Sequence, residues 1–172
     1  MEVADDGASL LDVLRRQLGL RSPKDGCSPQ GQCGCCTVWV DGAPRVACVT
    51  PARRVAGREI TTVEGLAPDV RDRWAGALVA TGGSQCGFCT PGIVMRLAAA
   101  VEAPEQGPVE PPSGLDDTVD RALLAHLCRC TGWQTVAEAA VLVAAGTAPD
   151  AAAAVAGRDL DAAARRAELE GG

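Results

Sequence analysis

The sequence predicts an α+β chain in two parts, a mixed α and β first part and a helical remainder. Three observations carry this. Short β-favouring runs bounded by turn residues are confined to the stretch before Gly65. From Glu64 onward apolar residues recur at helical spacing. Eight of the nine cysteines form two sets of four, one in each part.

The elements follow in order. Ser9 to Gly19 reads as a short helix: Ser9 can cap it, Asp12 sits three residues on, and Gly19 can stop it. Leu11, Leu14 and Leu18 share one face, with Leu10 close by. A long loop, Arg21 to Gly34, carries Cys27 and Cys33. Thr37 to Val40 reads as a strand, Asp41-Gly42 as a turn, and Arg45 to Val49 as the returning strand of a hairpin. Arg58 to Val63 is a further strand candidate. Helices are expected at Asp69–Ala80, from Thr90 (N-cap) with Pro91 at the first helical position, at Asp116–Leu127 and at Thr135–Ala145. In the last, Thr135 and Glu138 form a candidate capping box and Gly146 a stop. Ala103 to Leu115, with four prolines, reads as an exposed loop in a locally acidic stretch. Residues 147–172 read as a marginal Ala-rich helix or tail.

Composition bounds the rest. Apolar residues make up 47% but aromatics only 2%, so the core is thin and bound metal could supply missing stability. The net charge is −6, with no clustered basic face of the kind nucleic-acid binding needs. No apolar run approaches the ~18 residues of a membrane span. The N-terminus has acids where a secretory signal has bases. The expected compartment is the cytoplasm, where many cysteines point to metal rather than disulfides.

The cysteine spacings are Cys27-x5-Cys33-x2-Cys36-x11-Cys48 and Cys86-x2-Cys89-x38-Cys128-x-Cys130. Packing does not require such grouping; a tetrathiolate centre does, because four sulfurs must converge. The first set nearly copies the plant-type [2Fe–2S] spacing with one residue added, and zinc is its weaker alternative. The second set by spacing suits zinc as well as a cluster. Glycines beside the first set allow backbone to wrap a cluster and donate N–H groups to its sulfurs. Cys35 is left over, most simply as a small buried residue. His126, the only histidine, reads as packed or surface. Arg129 can act by charge on the second site, contact a partner or simply be solvated. Trp39, Trp74 and Trp133 read as core.

Four strings then carry a resemblance. Gly26 to Val38 (GCSPQGQCGCCTV) resembles the first-cluster motif of the small iron–sulfur subunits of molybdenum hydroxylases, the xanthine dehydrogenase, aldehyde oxidase and aerobic carbon monoxide dehydrogenase family. Gln85 to Gly92 (QCGFCTPG) and Leu127 to Gly132 (LCRCTG) resemble its second-cluster motif. Thr61 to Gly65 (TTVEG) resembles its link between domains. The resemblance implies an N-terminal β-grasp, ferredoxin-like [2Fe–2S] domain over 1–65 and a four-helix [2Fe–2S]-binding domain over 66–146, with 147–172 as tail or linker. It implies Cys27, Cys33, Cys36 and Cys48 as ligands of one cluster, and Cys86, Cys89, Cys128 and Cys130 of the other. It places Gln85 and Cys130 against the molybdopterin of a large partner subunit, expected as molybdopterin cytosine dinucleotide, with FAD in a further subunit.

The function so implied is electron transfer from the partner's molybdopterin centre, through the second cluster and then the first, to FAD or another acceptor. No substrate-binding catalytic site is expected in this chain. The rival readings are a zinc-binding interaction module and a free ferredoxin. Against the family pattern, five residues rather than four separate Cys27 from Cys33, so the loop must bulge. With only eight residues before Ser9, the family's first β-strand is expected to be absent or truncated; Cys35 stands at a small-residue position, and the gap before Cys128 is long.

Overall fold

The computed structural model of the protein describes residues 7–101 and 115–156. The expected proline-rich loop, the start of the chain where a first strand would lie, and the end of the tail fall outside the described residues.

The first helix starts where expected. Ser9 accepts a hydrogen bond from the Asp12 amide at 3.1 Å and donates to the Asp12 carboxylate at 2.8 Å. The α-helix α1, Leu10–Asp12, then widens into a π-helical turn, Val13–Gln17. This turn corrects the predicted face. Leu10, Leu11 and Leu14 are buried, but Leu18 is exposed and Val13 is buried as well. A wider turn rotates every later residue off the 3.6-residue phase. Gly19, at φ +69°, ends the element as expected.

Among the described residues, strand β1, Thr37–Val40, is the centre of a three-stranded antiparallel sheet, order β2-β1-β3. Asp41 and Gly42 both have positive φ, the mark of a tight hairpin turn. The return strand β2 is Ala43–Val46, two residues earlier than predicted. Ala47–Val49 is instead a 3₁₀ turn, which swings Cys48 inward, where it is buried. Strand β3 is short, Ile60–Thr61. Alternation along β1 sends Val38 and Val40 toward Leu10, Leu11 and Leu14, and Trp39 toward the helices.

The helical part contains α2 (Pro68–Thr81), α3 (Thr90–Val101), α4 (Leu115–Leu123) and α5 (Gln134–Ala144). Pro68 opens α2, and Gly82, left-handed, closes it while Gly83 N–H reaches back to the Leu78 carbonyl at 2.8 Å. Helix α4 stops four residues short of the predicted Leu127. The chain turns there, His126 N–H bonding the Leu123 carbonyl at 2.9 Å, and Leu127 N–H leaves the helix to bond the Cys33 carbonyl at 3.1 Å. The Thr135 capping box does not form. Trp133, at φ +69°, occupies the cap position without a side-chain cap bond, and the Thr135 hydroxyl is buried with no partner. Gly146 ends α5 as predicted, with Thr147 N–H bonding the Leu142 carbonyl at 3.0 Å.

Trp74, Ile93, Met95, Leu97, Val119 and Val136 fill the helical core, with alanines between them. Of the three tryptophans Trp74 is fully buried, while Trp39 and Trp133 are partly buried against the same core. That core also contains Cys33, Cys35 and Cys89. It is therefore continuous with the cysteine loop of the first part, and α3 lies directly on the sheet. Among the described residues no helix is long and apolar enough to cross a membrane.

The tail begins as structure. Helix α6, Ala151–Ala156, lies along α2 with Ala154 buried. Gly76, in the middle of α2, lets it approach: a Cβ there would overlap the Pro149 carbonyl. An exposed helical glycine costs about 1 kcal/mol against alanine, so the close approach accounts for its place. Gly76→Val is expected to destabilise the chain by about 1–3 kcal/mol in urea titration. In a chain ending at Gly146 the penalty should vanish; an equal penalty in both chains would mean α6 does not pack there.

Candidate metal centres

The first cysteine set is built on a loop that bends sharply twice. Ser28 (φ +51°) and Gly31 (φ +69°) are both left-handed, and the Ser28 amide donates to the Asp25 carboxylate at 2.9 Å. These bends take up the extra residue between Cys27 and Cys33. Cys33 and Cys36 are buried, Cys48 arrives from the 3₁₀ turn after β2, and Cys27 is half-buried at the mouth.

Backbone amides are aimed at these sulfurs. Gln30 N–H points at Cys27 Sγ from 3.3 Å, and Cys48 N–H at Cys36 Sγ from 3.4 Å. Burial opposes ionisation of Cys27, but the amides of Gln32, Gln30 and Cys33, with the Cys33 thiol, outweigh it and bring its pKa down to about 6. Cys36 is pushed up to about 12, chiefly by burial, against the Cys48 amide.

The second set joins two connections. Cys86 and Cys89 precede α3, and Cys128 and Cys130 follow the turn after α4. Cys89 is buried, Cys128 half-buried, and Cys86 and Cys130 are exposed. The Phe88 amide and then the Cys130 thiol lower the Cys86 pKa. Burial raises that of Cys89 to about 12, helped by the Cys128 thiol. For Cys128 burial works upward, but the Thr131 hydroxyl, 3.1 Å from its sulfur, and nearby amides bring it down.

Within each set the thiols are neighbours. Cys33 neighbours both Cys27 and Cys35, and Cys36 neighbours Cys48. Cys86 neighbours Cys130, and Cys89 neighbours Cys128. The all-cysteine sets and the amide donors aimed at their sulfurs fit [2Fe–2S] clusters.

Cys35 lies beside Cys33: their sulfurs stand 3.4 and 2.9 Å from where a Cβ on Gly26 would lie. Its thiol lies 3.5 Å from the Cys33 carbonyl, inside the helical core, and burial with neighbouring Cys33 and Cys89 raises its pKa to about 12. It therefore stands between the two sets. Cys36 and Cys89 are raised as far, so ionisation alone does not separate Cys35 from them.

The seam between the sets was largely hidden in the sequence. His126 is buried, 3% exposed, with Nε2 3.4 Å from the Thr37 hydroxyl. That hydroxyl donates to the Gly34 carbonyl at 2.7 Å. Burial takes the His126 pKa down to about 4, so the ring is neutral at pH 7. The backbone of Gly92 and Ala122 lies nearby and weakly favours the charged ring, yet neither makes a well-formed bond, and Nδ1 has no partner. A Cβ on Gly34 would overlap the imidazole, and one on Gly92 would overlap the Gly34 carbonyl.

Gln85 is exposed beside Cys86, and its amide has no hydrogen-bond partner among the described residues. Arg129 is exposed between Cys128 and Cys130. Phe88 (44% exposed), Leu124 (81%) and Leu127 (60%) are large apolar side chains close in sequence to the second set.

Comparison with known proteins agrees with this site. Residues 62–141 match the family model of the [2Fe–2S] binding domain, which makes the chain an iron–sulfur protein. The xanthine dehydrogenase iron-sulfur-binding subunit of Escherichia coli O157:H7 is 40% identical over 131 residues, 76% of this chain and 78% of that protein. The nicotine 6-hydroxylase small subunit of Paenarthrobacter nicotinovorans is 40% identical over 135 residues, 78% and 77% of the two. The structure of quinoline 2-oxidoreductase from Pseudomonas putida 86 superposes with a TM-score of 0.71 at 34% identity, covering 90% of this chain and 88% of that one. The chain belongs to the family of small iron–sulfur subunits of molybdenum hydroxylases. Other relatives are longer: it spans 15% of the aldehyde oxidoreductase of Megalodesulfovibrio gigas, at 41% identity.

Cys35→Ala is expected to leave both reduced-cluster paramagnetic signals in place and to cost no more than about 2 kcal/mol of stability. Loss of the first-set signal would make Cys35 a ligand in place of one of its neighbours.

Proposed function

We propose that this chain is the electron-transfer subunit of a molybdenum-containing oxidoreductase complex and holds two [2Fe–2S] clusters. Cys27, Cys33, Cys36 and Cys48 hold one; Cys86, Cys89, Cys128 and Cys130 hold the other. The observation that carries this is the gathering of two all-cysteine sets, the first with backbone N–H groups aimed at the Cys27 and Cys36 sulfurs. The first part is read as a β-grasp domain through residue 65, the second as a four-helix domain over 66–146. The clusters, when bound, supply one-electron carriers. The protein's own work is to fix their spacing, donate N–H groups to their sulfurs and shield the inner thiols from water.

Electrons enter at the second site and leave at the first. The exposed thiols of Cys86 and Cys130, the unpartnered Gln85 amide and the nearby apolar side chains support docking of a large molybdopterin-binding subunit there. Gln85 can both donate and accept hydrogen bonds, which suits a pterin edge. The pterin is expected as the cytosine dinucleotide form. FAD in a further subunit is the proposed acceptor, and the cytoplasm the proposed compartment. The partner determines the substrate.

Freshly isolated chain is expected to contain about four iron and four acid-labile sulfide. Stoichiometric zinc with almost no iron would replace this function with a zinc-binding module. In the assembled complex, Gln85→Ala should slow substrate-driven bleaching of the clusters about tenfold, the worth of one well-placed hydrogen bond. Bleaching by dithionite and the iron content should not change. A variant that bleaches with substrate as fast as wild type would remove Gln85 from the electron entry point.

A further inference from the structure

The described surface has a second recognisable feature, on the side of the sheet that carries Cys48. From Gly42 to Arg58 there are four arginines and no acid, in a chain of net charge −6. The fold gathers three of them, Arg45, Arg54 and Arg58, around an open cleft of about 330 Å³. Val49, Pro51 and Val55 provide apolar lining. Arg58 is paired with Asp41 at 2.6 Å. Arg45 reaches only the neighbouring Pro44 carbonyl, at 3.5 Å. Among the described residues the cleft therefore keeps two arginines, Arg45 and Arg54, without a carboxylate partner.

Its position gives that charge a use. Val49 lines the cleft and follows Cys48 directly. It also touches the cysteine loop, lying 3.1 Å from where a Cβ on Gly31 would stand. The cleft thus adjoins the first site, far along the chain from the apolar side chains near the second. Exposed arginines around an apolar floor are the composition of a protein-docking surface. Opposite charge on a partner raises the encounter rate and fixes orientation more than it raises affinity.

We infer that this arginine-rimmed cleft docks an acidic surface patch of the protein that takes electrons from the first site. The inference rests on the proposed electron-transfer function. The step itself is one electron passing from a reduced cluster to the acceptor's oxidised centre, with no bond made or broken.

Two acceptors with the same haem and opposite charge test it: cytochrome c, which is basic, and its succinylated form, which is acidic. The full chain, with clusters, is reduced by dithionite, freed of excess reductant, and mixed with each ferric protein in stopped flow. The acidic form should oxidise it faster at low salt, and raising NaCl from about 20 to 300 mM should slow that reaction about tenfold or more. Arg45→Glu with Arg54→Glu should slow it about tenfold at low salt and abolish most of the salt dependence. Native cytochrome c should react with the variant at least as fast as with wild type. Oxidation by uncharged benzoquinone, together with iron content, checks that the variant is intact. Equal rates of wild type and variant with the acidic acceptor would overturn the inference. So would inorganic phosphate abolishing the reaction at micromolar concentration, which would mark a small-anion site instead. Calorimetric titration of the oxidised chain with acidic cytochrome c reads docking without electron flow: salt-sensitive binding lost in the variant supports it, and no binding at low salt overturns it. A failure of all acceptors, benzoquinone included, would instead count against the electron-transfer function.

Discussion

The structure turns on one close approach, where the cysteine loop presses its backbone onto the start of α3. The Gly34 carbonyl faces Gly92 so tightly that neither residue could carry a side chain there without displacing backbone or the His126 ring. That carbonyl also receives the Thr37 amide and hydroxyl, at 3.0 and 2.7 Å. The contact therefore ties the loop of the first set, the first strand and the helix that follows Cys89 to one point. Next to it, Leu127 N–H bonds the Cys33 carbonyl and brings in the connection that carries Cys128. Cysteines distant in sequence are positioned by backbone contacts rather than by the thiols themselves. Thiols that repel one another when ionised need a scaffold that is already in place.

A thin core makes this scaffold costly to maintain. Aromatic residues are few, and alanine fills much of the space between helices. Small side chains allow helices to approach closely but remove little apolar area from water. Two cysteine sites embedded in or beside that core offer what it lacks: bound clusters would cross-link segments that otherwise share few large contacts. The polar seam adds strain of its own, since His126 Nδ1 and the Trp133 indole N–H are buried without partners.

Much of this was legible in the sequence. Helix positions followed from apolar spacing, and Ser9, Gly19 and Gly146 marked ends correctly because caps are local chemistry. The cysteine sets stood out because their spacing is irregular for packing and regular for metal. What failed was decided by contacts between distant segments. The π turn after Asp12 moved Leu18 to the surface. Helix α4 ended early so that Leu127 could bond Cys33, which lies 94 positions earlier. Trp133 took a left-handed cap that its type disfavours, and the neighbouring Thr135 motif lost its role. His126 looked like an ordinary histidine because nothing near it in sequence names Gly34 or Thr37. The loop bulge after Cys27 was expected from counting residues, but only the left-handed Ser28 and Gly31 show how it is made.

Trp39 adds a consequence of a different kind. Its indole N–H bonds the Met95 carbonyl at 2.7 Å, linking the middle strand to the middle of α3. One end of that link stands three residues beyond Cys36, the other six residues beyond Cys89. The two halves therefore have no hinge at this point, and a displacement of one cysteine set carries the other with it. Electron tunnelling weakens steeply with every added ångström of separation. With clusters in place, a bond that touches neither of them would act as a ruler, holding the hop between them to one length whatever docks at either end.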